Sequence, residues 1–338
     1  MYTNRIFSIP TTLGFSLIQI IGFALYSALT VSLYKHMGWD WMQIPWLPVS
    51  LIGTAVAFYV GFKNNSAYDR TWEARKVWGA IVNNSRSWAM MAKGFVSDEF
   101  VPGAVSSEEI HNIQRELVYR HLAWVYALRR QLWASKPWEH NHKINRKFRD
   151  MYAAGFANES LESELKKFLS EEEIKHTLAR KNPATHLILR QSERLRVLKR
   201  NGLMDDFRHI EMEKMLVDLY NQQGACERIK NFPLPRQYAT TSSLFVFIFI
   251  FFLPFGLMKE FDALGPGMIW LTVPFTTVIG WVYWLMEIVG DYAENPFEGL
   301  AFDIPMTALS RTIEIDLREM LGETHLPAPI EPIKDVLL

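Results

Sequence analysis

The sequence predicts an all-α membrane protein with four transmembrane helices and a helical cytosolic domain. Two observations support this fold class. Four apolar segments reach the length of a membrane span, and the charged region between the second and third repeats its apolar residues with helical spacing. The mean hydropathy of −0.01 is therefore an average over two very different kinds of segment.

The first pair of spans lies at about residues 11–34 and 44–62, and neither segment contains a charged residue. Residues 44–62 give about 28 Å of helix, close to a hydrocarbon thickness of about 30 Å. The first span is longer than a signal-peptide core, so we expect a retained transmembrane helix. The alternative, a soluble protein with buried core helices, is disfavoured because long uncharged runs recur.

The second pair lies at about residues 240–258 and 264–289, and the last segment carries a single acid, Glu287. Four crossings place both termini and the central region on one side of the membrane. The flanks on that side hold most of the nearby basic residues: Arg5, Lys63, Arg70, Arg75, Lys76, Arg228, Lys230 and Arg236. This bias predicts a multi-pass protein of the inner membrane with cytoplasmic termini.

The expected domains are the first transmembrane pair (residues 1–62), a helical cytosolic domain (63–239), the second pair (240–290) and a cytosolic C-terminal helix with a proline-rich tail (291–338). Capping-box patterns begin at Ser106 and Ser170. Amphipathic helices are expected over residues 184–203 and 204–229. The tail is not expected to be helical, and it either wraps over a neighbouring subunit or stays loose.

Several function classes are disfavoured by composition and motifs. Lys and Arg total 36, as do Asp and Glu, which argues against a nucleic-acid partner. The sequence contains no GxSxG, P-loop, dinucleotide or HExxH motif, so we expect neither an enzyme nor a bound cofactor. His140 and His142 stand as an isolated His-x-His pair, more typical of a surface turn than of a metal site.

Three acids, Glu287, Asp291 and Glu294, follow helical spacing at the end of the fourth span. They either line a cation path or relay protons, or they mark where the helix leaves the membrane and pair with basic residues after the second span.

The second span continues without a linker into a polar stretch, which predicts one continuous helix from the membrane into water. Thr54, Phe58 and Phe62 recur every four residues and share one face of that helix. In a ring of identical subunits the stripe would form stacked rings around a pore. Ordinary aromatic packing between membrane helices is the alternative.

Three motifs resemble those of bacterial bestrophin-family proteins, in the same order and over nearly the whole chain. The first comprises Asn64, Asn65, Tyr68, Asp69, Arg70, Trp72, Glu73 and Arg75. The second comprises Asn295, Pro296, Phe297, Asp303, Pro305 and Glu314. The third comprises Gly224, Cys226, Glu227 and Arg228, followed by Pro233 and Pro235.

The resemblance implies a homo-pentameric channel in the lipid bilayer, with one central pore for permeant monovalent ions. By motif, the hydrophobic neck falls on Thr54, Phe58 and Phe62, and a cytosolic aperture falls on Phe207. Chloride or another small anion is the leading permeant ion. A sodium or potassium channel of the same fold, a secondary transporter and a membrane-anchored scaffold are the alternatives.

Two features of the chain differ from the family pattern. Animal members bind calcium through an acidic run after Asn-Pro-Phe, where this chain has only Glu298 and Asp303, so calcium gating is not expected. The outer neck position is Thr54 in place of an aliphatic residue, and its hydroxyl is expected to make the mouth of the neck easier to wet.

Overall fold

The computed structural model describes residues 1–6, 9–99, 105–152 and 159–338, and the elements found there are helical. The α-helices are α1 Ile9–Met37, α2 Trp46–Phe95, α3 Ser107–Trp133, α4 Lys143–Tyr152, α5 Leu161–Leu165, α6 Glu171–Leu178, α7 Pro183–Arg200, α8 Asp206–Asn231, α9 Arg236–Asp262, α10 Thr272–Ala293 and α11 Met306–Met320. Short 3₁₀ helices cover Asp40–Met42 and Met268–Leu271. The predicted all-α class is confirmed.

The chain divides into two compact units. The span unit comprises Asn4–Arg70 and Pro233–Glu294. The polar unit comprises Met1–Thr3, Thr71–Phe232 and Asn295–Leu338. These limits follow the packing of the chain and not a membrane boundary, so the domain limits expected at residues 62, 239 and 290 stay predictions.

The span unit contains the four apolar helices. Within the described residues, four helical segments are long and apolar enough to cross a membrane: Phe15–Met37, Asp40–Phe95, Arg236–Asp262 and Met268–Ala293. Helix α10 packs along both α1 and α9. Many large apolar side chains stay exposed on these helices, including Ile18, Leu29 and Phe247. Such a surface suits lipid and would be costly in water.

Helix α2 is continuous over 50 residues, as the absence of a linker after residue 62 predicts. The fourth span, in contrast, begins later than the predicted residue 264. Gly265 and Gly267 adopt positive φ angles of 128° and 85°, which turn the chain before the 3₁₀ helix and α10 begin. Backbone in that region suits glycine and cannot continue a right-handed helix.

The core of the polar unit is built on α3, which packs against α7 and α11, while α7 packs on α8. Three tryptophans, Trp78, Trp88 and Trp124, are fully or almost fully buried there. Trp88 donates to the carbonyl of Leu117 (3.2 Å) and Trp124 to the side chain of Gln223 (2.9 Å). These large aromatic rings, two of them with hydrogen-bonded N–H groups, give this unit a dense apolar centre.

Helix starts in the polar unit follow the predicted capping residues. The hydroxyls of Ser106 and Ser170 accept from backbone N–H groups at the starts of α3 and α6. Helix α8 begins two residues later than predicted, because the Asp205 carboxylate caps it by accepting from the N–H of Arg208 at 2.7 Å. Helices α4 and α5 were not predicted.

The proline-rich tail is not helical, as predicted, and it packs on its own chain. Thr3 donates its N–H to the carbonyl of Asp335 (2.8 Å), and an isolated β-bridge joins Tyr2 to Val336. The N–H of Ala308 donates to the carbonyl of Leu338 at 2.8 Å. The tail is therefore not loose, because residues 1–3 supply an intrachain partner. The expected packing over a neighbouring subunit stays a prediction.

Candidate functional site

The predicted stripe on α2 is exposed and borders a groove. Phe58 and Phe62 keep 67% and 69% of their surface accessible, and Thr54 is exposed too. The groove has a volume of about 660 Å³. It is lined by Thr54, Ala57, Phe58, Gly61, Phe62, Asn65 and Tyr283. Two large aromatic rings thus stand on a surface that the span unit itself does not cover.

The opposite face of α2 explains why the stripe points outward. Val49, Val56 and Val60 are buried in the core of the span unit with residues of α9. Gly53 lies against the ring of Phe249, where a Cβ would come within 2.6 Å of the ring. Tyr283 also donates its hydroxyl to the carbonyl of Gly53 at 3.1 Å. The valine face is therefore fixed, which fixes the aromatic face as well.

The Thr54 hydroxyl has an intrahelical partner. It donates to the carbonyl of Ser50 at 2.9 Å, one helical turn back. Only its acceptor lone pairs and its methyl group remain for the groove. That Thr54 makes the mouth of the neck easier to wet stays a prediction. It depends on the hydroxyl oxygen as an acceptor, because the hydroxyl proton is donated to Ser50.

A buried ion pair lies directly beside the stripe in sequence. The Lys63 ammonium contacts the Glu287 carboxylate, and the lysine side chain is fully buried. The same carboxylate accepts from the hydroxyls of Ser242 and Ser243. Of the two alternatives for the acids of the fourth span, pairing with a basic residue after the second span is confirmed for Glu287. The pair joins α2, α9 and α10.

A close contact between α2 and α10 occurs one residue further along. Asn64 donates its side-chain N–H to the carbonyl of Met286 at 2.9 Å. Its Oδ1 atom lies only 2.0 Å from the position that a Cβ on Gly290 would occupy. Glycine at position 290 is therefore required for Asn64 to reach α10, a constraint that the sequence did not reveal.

Arg70 and Glu294 form the third link in the span unit. Arg70 donates its Nε–H to the backbone carbonyl of Glu294 at 2.6 Å. The buried carboxylate of Glu294 pairs with Arg236, with 2.6 Å between Nη2 and Oε1. The carboxylate of Glu294 therefore has a basic partner, but this partner stands at the start of the third span and not after the second, where it was expected.

The remaining motif residues of α2 differ in their surroundings. Asn65 lines the groove, and Asp69 and Tyr68 are exposed in the span unit. In the polar unit, Trp72 keeps 47% of its surface accessible.

Two charged motif residues of α2 make contacts within the polar unit. Glu73 pairs with Arg228 of the third motif. The guanidinium of Arg75 is exposed and lies 3.9 Å from the sulfur of Met1. The structure therefore brings the first and third motifs together through Glu73.

The Asn-Pro-Phe motif forms a buried turn in the polar unit. Asn295 and Phe297 are buried, and the carbonyl of Pro296 accepts from the N–H of Ile304 at 3.1 Å. Pro305 directly precedes α11, where its missing N–H costs no hydrogen bond. These residues shape the chain between α10 and α11.

Asp303 lies buried in the same turn. Its Oδ2 atom accepts from the N–H of Leu300 at 3.0 Å. Burial, with a smaller contribution from the nearby Glu298 carboxylate, raises the pKa of the Asp303 carboxyl to about 7, although the hydrogen bond from Leu300 opposes the shift.

Glu298 contacts a histidine. Its Oε2 atom lies 3.1 Å from the Nδ1 atom of His140, and both side chains are largely buried. His140 is therefore not in a solvated turn as predicted, whereas His142 is exposed. In the described part of the chain, no group of three or more His, Cys, Asp or Glu side chains is arranged to hold a metal ion.

The last motif residue, Glu314, is buried among polar groups of the polar unit. Tyr126 donates its hydroxyl to the Glu314 carboxylate, and burial together with this negative charge raises the pKa of the tyrosine. Arg311 and Arg318 lie 3.3 and 3.2 Å from the same carboxylate. Glu314 thus ties α11 to α3.

Phe207, the predicted aperture residue, lies in the first turn of α8. It keeps 82% of its surface accessible, so the polar unit leaves its ring uncovered. Phe207 and the α2 stripe belong to different compact units.

Comparison with known proteins gives consistent matches. The sequence profile described as "Bacterial/Fungal Bestrophin protein" matches residues 8–319. A voltage-dependent anion channel-forming protein of Mesorhizobium japonicum is 30% identical over 90% of this chain and 84% of its own length. A protein of the same name from Escherichia coli K12 is 28% identical over 88% of this chain and 83% of its own.

Solved structures show the same fold. The crystal structure of a bacterial bestrophin homolog from Klebsiella pneumoniae has a TM-score of 0.73 to this chain, at 23% identity. The match covers 91% of this chain and 99% of that one.

Proposed function

This chain belongs to the bacterial/fungal bestrophin family, and on that premise we propose that it forms a pentameric anion channel of the inner membrane. Membership in a family of ion channels argues against an enzymatic role. The two relatives described above are named anion channel-forming proteins, and these names support small anions such as chloride as the permeant ions.

The observation that carries the proposal is the exposed aromatic stripe of α2. Thr54, Phe58 and Phe62 form the pore neck in this proposal. The valine face of this helix packs into the core of the span unit, so the rings of Phe58 and Phe62 project away from that core. Five copies arranged around an axis would turn the stripe into three stacked rings.

Whether such a neck conducts ions depends on whether water fills it. Two rings of phenyl groups exclude water when they are close together, and an ion that enters must shed part of its hydration shell. A modest widening or rotation of the rings lets water return and lowers that barrier. The Thr54 oxygen, an acceptor, is the polar group at the outer end of this path.

Phe207 forms a second constriction in this proposal, at the cytosolic end of the pore. Its ring is almost wholly exposed on the first turn of α8, a rigid start fixed by the Asp205 cap. The excess of basic residues flanking the spans on one side supports a cytoplasmic polar unit and cytoplasmic termini.

A second candidate is a monovalent cation channel with the same architecture. It is favoured by one specific observation: the exposed carboxylate of Asp69 lies near the neck on α2, and the neck itself carries no fixed positive charge.

The proposal is tested by recording from the purified protein in planar bilayers under a KCl gradient. A reversal potential near the chloride equilibrium value supports the anion channel, and one near the potassium value supports the cation channel. Phe58→Ala is expected to raise single-channel conductance at least about twofold, because it removes one apolar ring.

The matched control is Phe247→Ala on α9. Phe247 has almost the same exposed fraction as Phe58, 68% against 67%, but it does not line the groove. Equal conductance of wild type and Phe58→Ala, with both proteins folded and pentameric by size-exclusion light scattering, would remove the neck assignment.

A further inference from the structure

Asp69 lies on the same helix face as the proposed neck. Helix α2 is uninterrupted between Trp46 and Phe95, so its side-chain directions advance by about 100° per residue. Relative to Thr54, Phe58 and Phe62 then point at about 40° and 80°, and Asp69 points at about 60°. The carboxylate lies about 10 Å beyond Phe62 along the helix axis.

A polar residue fills the interval between them. Asn65 points at about 20° from Thr54 on the same basis and is one of the residues that line the groove. The stripe therefore changes along one face from apolar rings, through an amide, to a carboxylate.

The Asp69 carboxylate is not neutralised in the described part of the chain, where it is exposed and forms no ion pair. Three basic residues of the span unit contact groups other than Asp69. Lys63 is buried with Glu287, and the Nε–H of Arg70 is donated to the backbone carbonyl of Glu294. Arg236 pairs with the carboxylate of Glu294.

We propose that Asp69 determines charge selectivity by forming a ring of carboxylates at the inner end of the neck. This inference rests on the proposed pentameric pore. Five carboxylates around a narrow aqueous path concentrate cations there and deplete anions. The neck itself carries no charge, so Asp69 sets the ratio of cations to anions that reach it. The ring limits the chloride share of the current.

The alternative is that Asp69 is an ordinary solvated acid at a helix surface. Such a residue would leave the permeability ratio unchanged. The two descriptions therefore predict different effects of an Asp69 substitution on the permeability ratio.

The experiment measures the potassium-to-chloride permeability ratio from reversal potentials in asymmetric KCl at about 0.1 M. Asp69→Asn keeps the shape of the side chain and removes its charge, so the ratio is expected to fall at least about threefold. Asp69→Glu keeps the charge and is expected to retain the wild-type ratio. Glu260→Gln, which removes an exposed acid in the last turn of α9, is the control and should change nothing.

Salt provides a second readout. The Debye length falls from about 10 Å at 0.1 M to about 3 Å at 1 M, so the difference between wild type and Asp69→Asn should shrink at high salt. A difference that does not depend on salt would contradict an electrostatic role.

The outcomes separate this inference from the proposed function. An unchanged ratio in Asp69→Asn overturns the inference, while a conductance increase in Phe58→Ala keeps the neck. No effect of Phe58→Ala removes the neck, and with it the position assigned to Asp69. If the wild-type protein is silent, the Asp69 variants are recorded in the Phe58→Ala background, and silence there overturns both.

Discussion

Replacement of Lys63 by methionine would leave the Glu287 carboxylate buried beside the hydroxyls of Ser242 and Ser243, without its positive partner. The lysine side chain is fully buried and that of Glu287 is 7% exposed, so water cannot take over the role of the ammonium. Removal of one member of such a pair costs about 3–5 kcal/mol, because the other charge stays desolvated. We expect a loss of this size in the free energy of unfolding.

The double variant Lys63→Met/Glu287→Met should recover part of that loss. Apolar side chains of similar volume often replace a buried ion pair with little cost. The two serine hydroxyls lose their acceptor, at roughly 1 kcal/mol each, although Ser243 also donates to the carbonyl of Ala239 at 3.2 Å. The coupling energy of the double-mutant cycle should therefore be at least about 2 kcal/mol.

The assay is denaturant unfolding of the detergent-solubilised protein, followed by the fluorescence of its 12 tryptophans. The control cycle uses Arg86 and Asp316, a pair with 2.6 Å between charged atoms whose side chains are 50% and 29% exposed. That cycle should give a coupling below about 1 kcal/mol. If the losses from Lys63→Met and Glu287→Met add within about 0.5 kcal/mol, the buried pair does not act as a unit and the reasoning is wrong.

Three further predictions follow from other contacts. Gly290→Ala should destabilise the protein more than Gly79→Ala, a helical glycine with no neighbour within 4 Å of its Cβ position, and thermal unfolding of both variants checks this. Asp303 binds a proton more tightly when folded, so wild-type stability should fall as pH rises from about 4 to 7, by at most about 1.4 kcal/mol per pH unit; Asp303→Asn should flatten that profile in denaturant titrations. Phe207→Ala should change ion currents without lowering the melting temperature, since the ring is 82% exposed; an equal loss of stability and current would contradict an aperture role.

Local sequence signals predicted much of the fold. At Ser106 and Ser170, the hydroxyl accepts a hydrogen bond from the backbone N–H three residues further along, so the capping pattern is visible in the sequence. The continuity of α2 follows from the absence of proline after residue 48. The late start of the fourth span also has a local signal, since Gly265 and Gly267, both with positive φ, flank a proline.

Contacts between distant segments could not be predicted in this way. The tail is held by residues 1–3, more than 300 positions away, and no local pattern encodes that pairing. The sequence predicts the stripe of the candidate site because the spacing of its residues repeats within one helix, which was not possible for contacts between helices. The need for Gly290 could not be predicted, since it arises only when Asn64 of α2 approaches α10.

The buried ion pair and the proposed neck are mechanically connected through α2. Lys63 follows Phe62 directly, and adjacent helical side chains point about 100° apart. Because Lys63 is fixed among α9 and α10, the direction of Phe62 is fixed with it. Lys63→Met should therefore alter channel conductance as well as stability, and the double variant with Glu287→Met should recover part of both together. Restored stability with conductance still altered would mean that the ammonium itself, and not the packing that it anchors, sets the direction of the Phe62 ring.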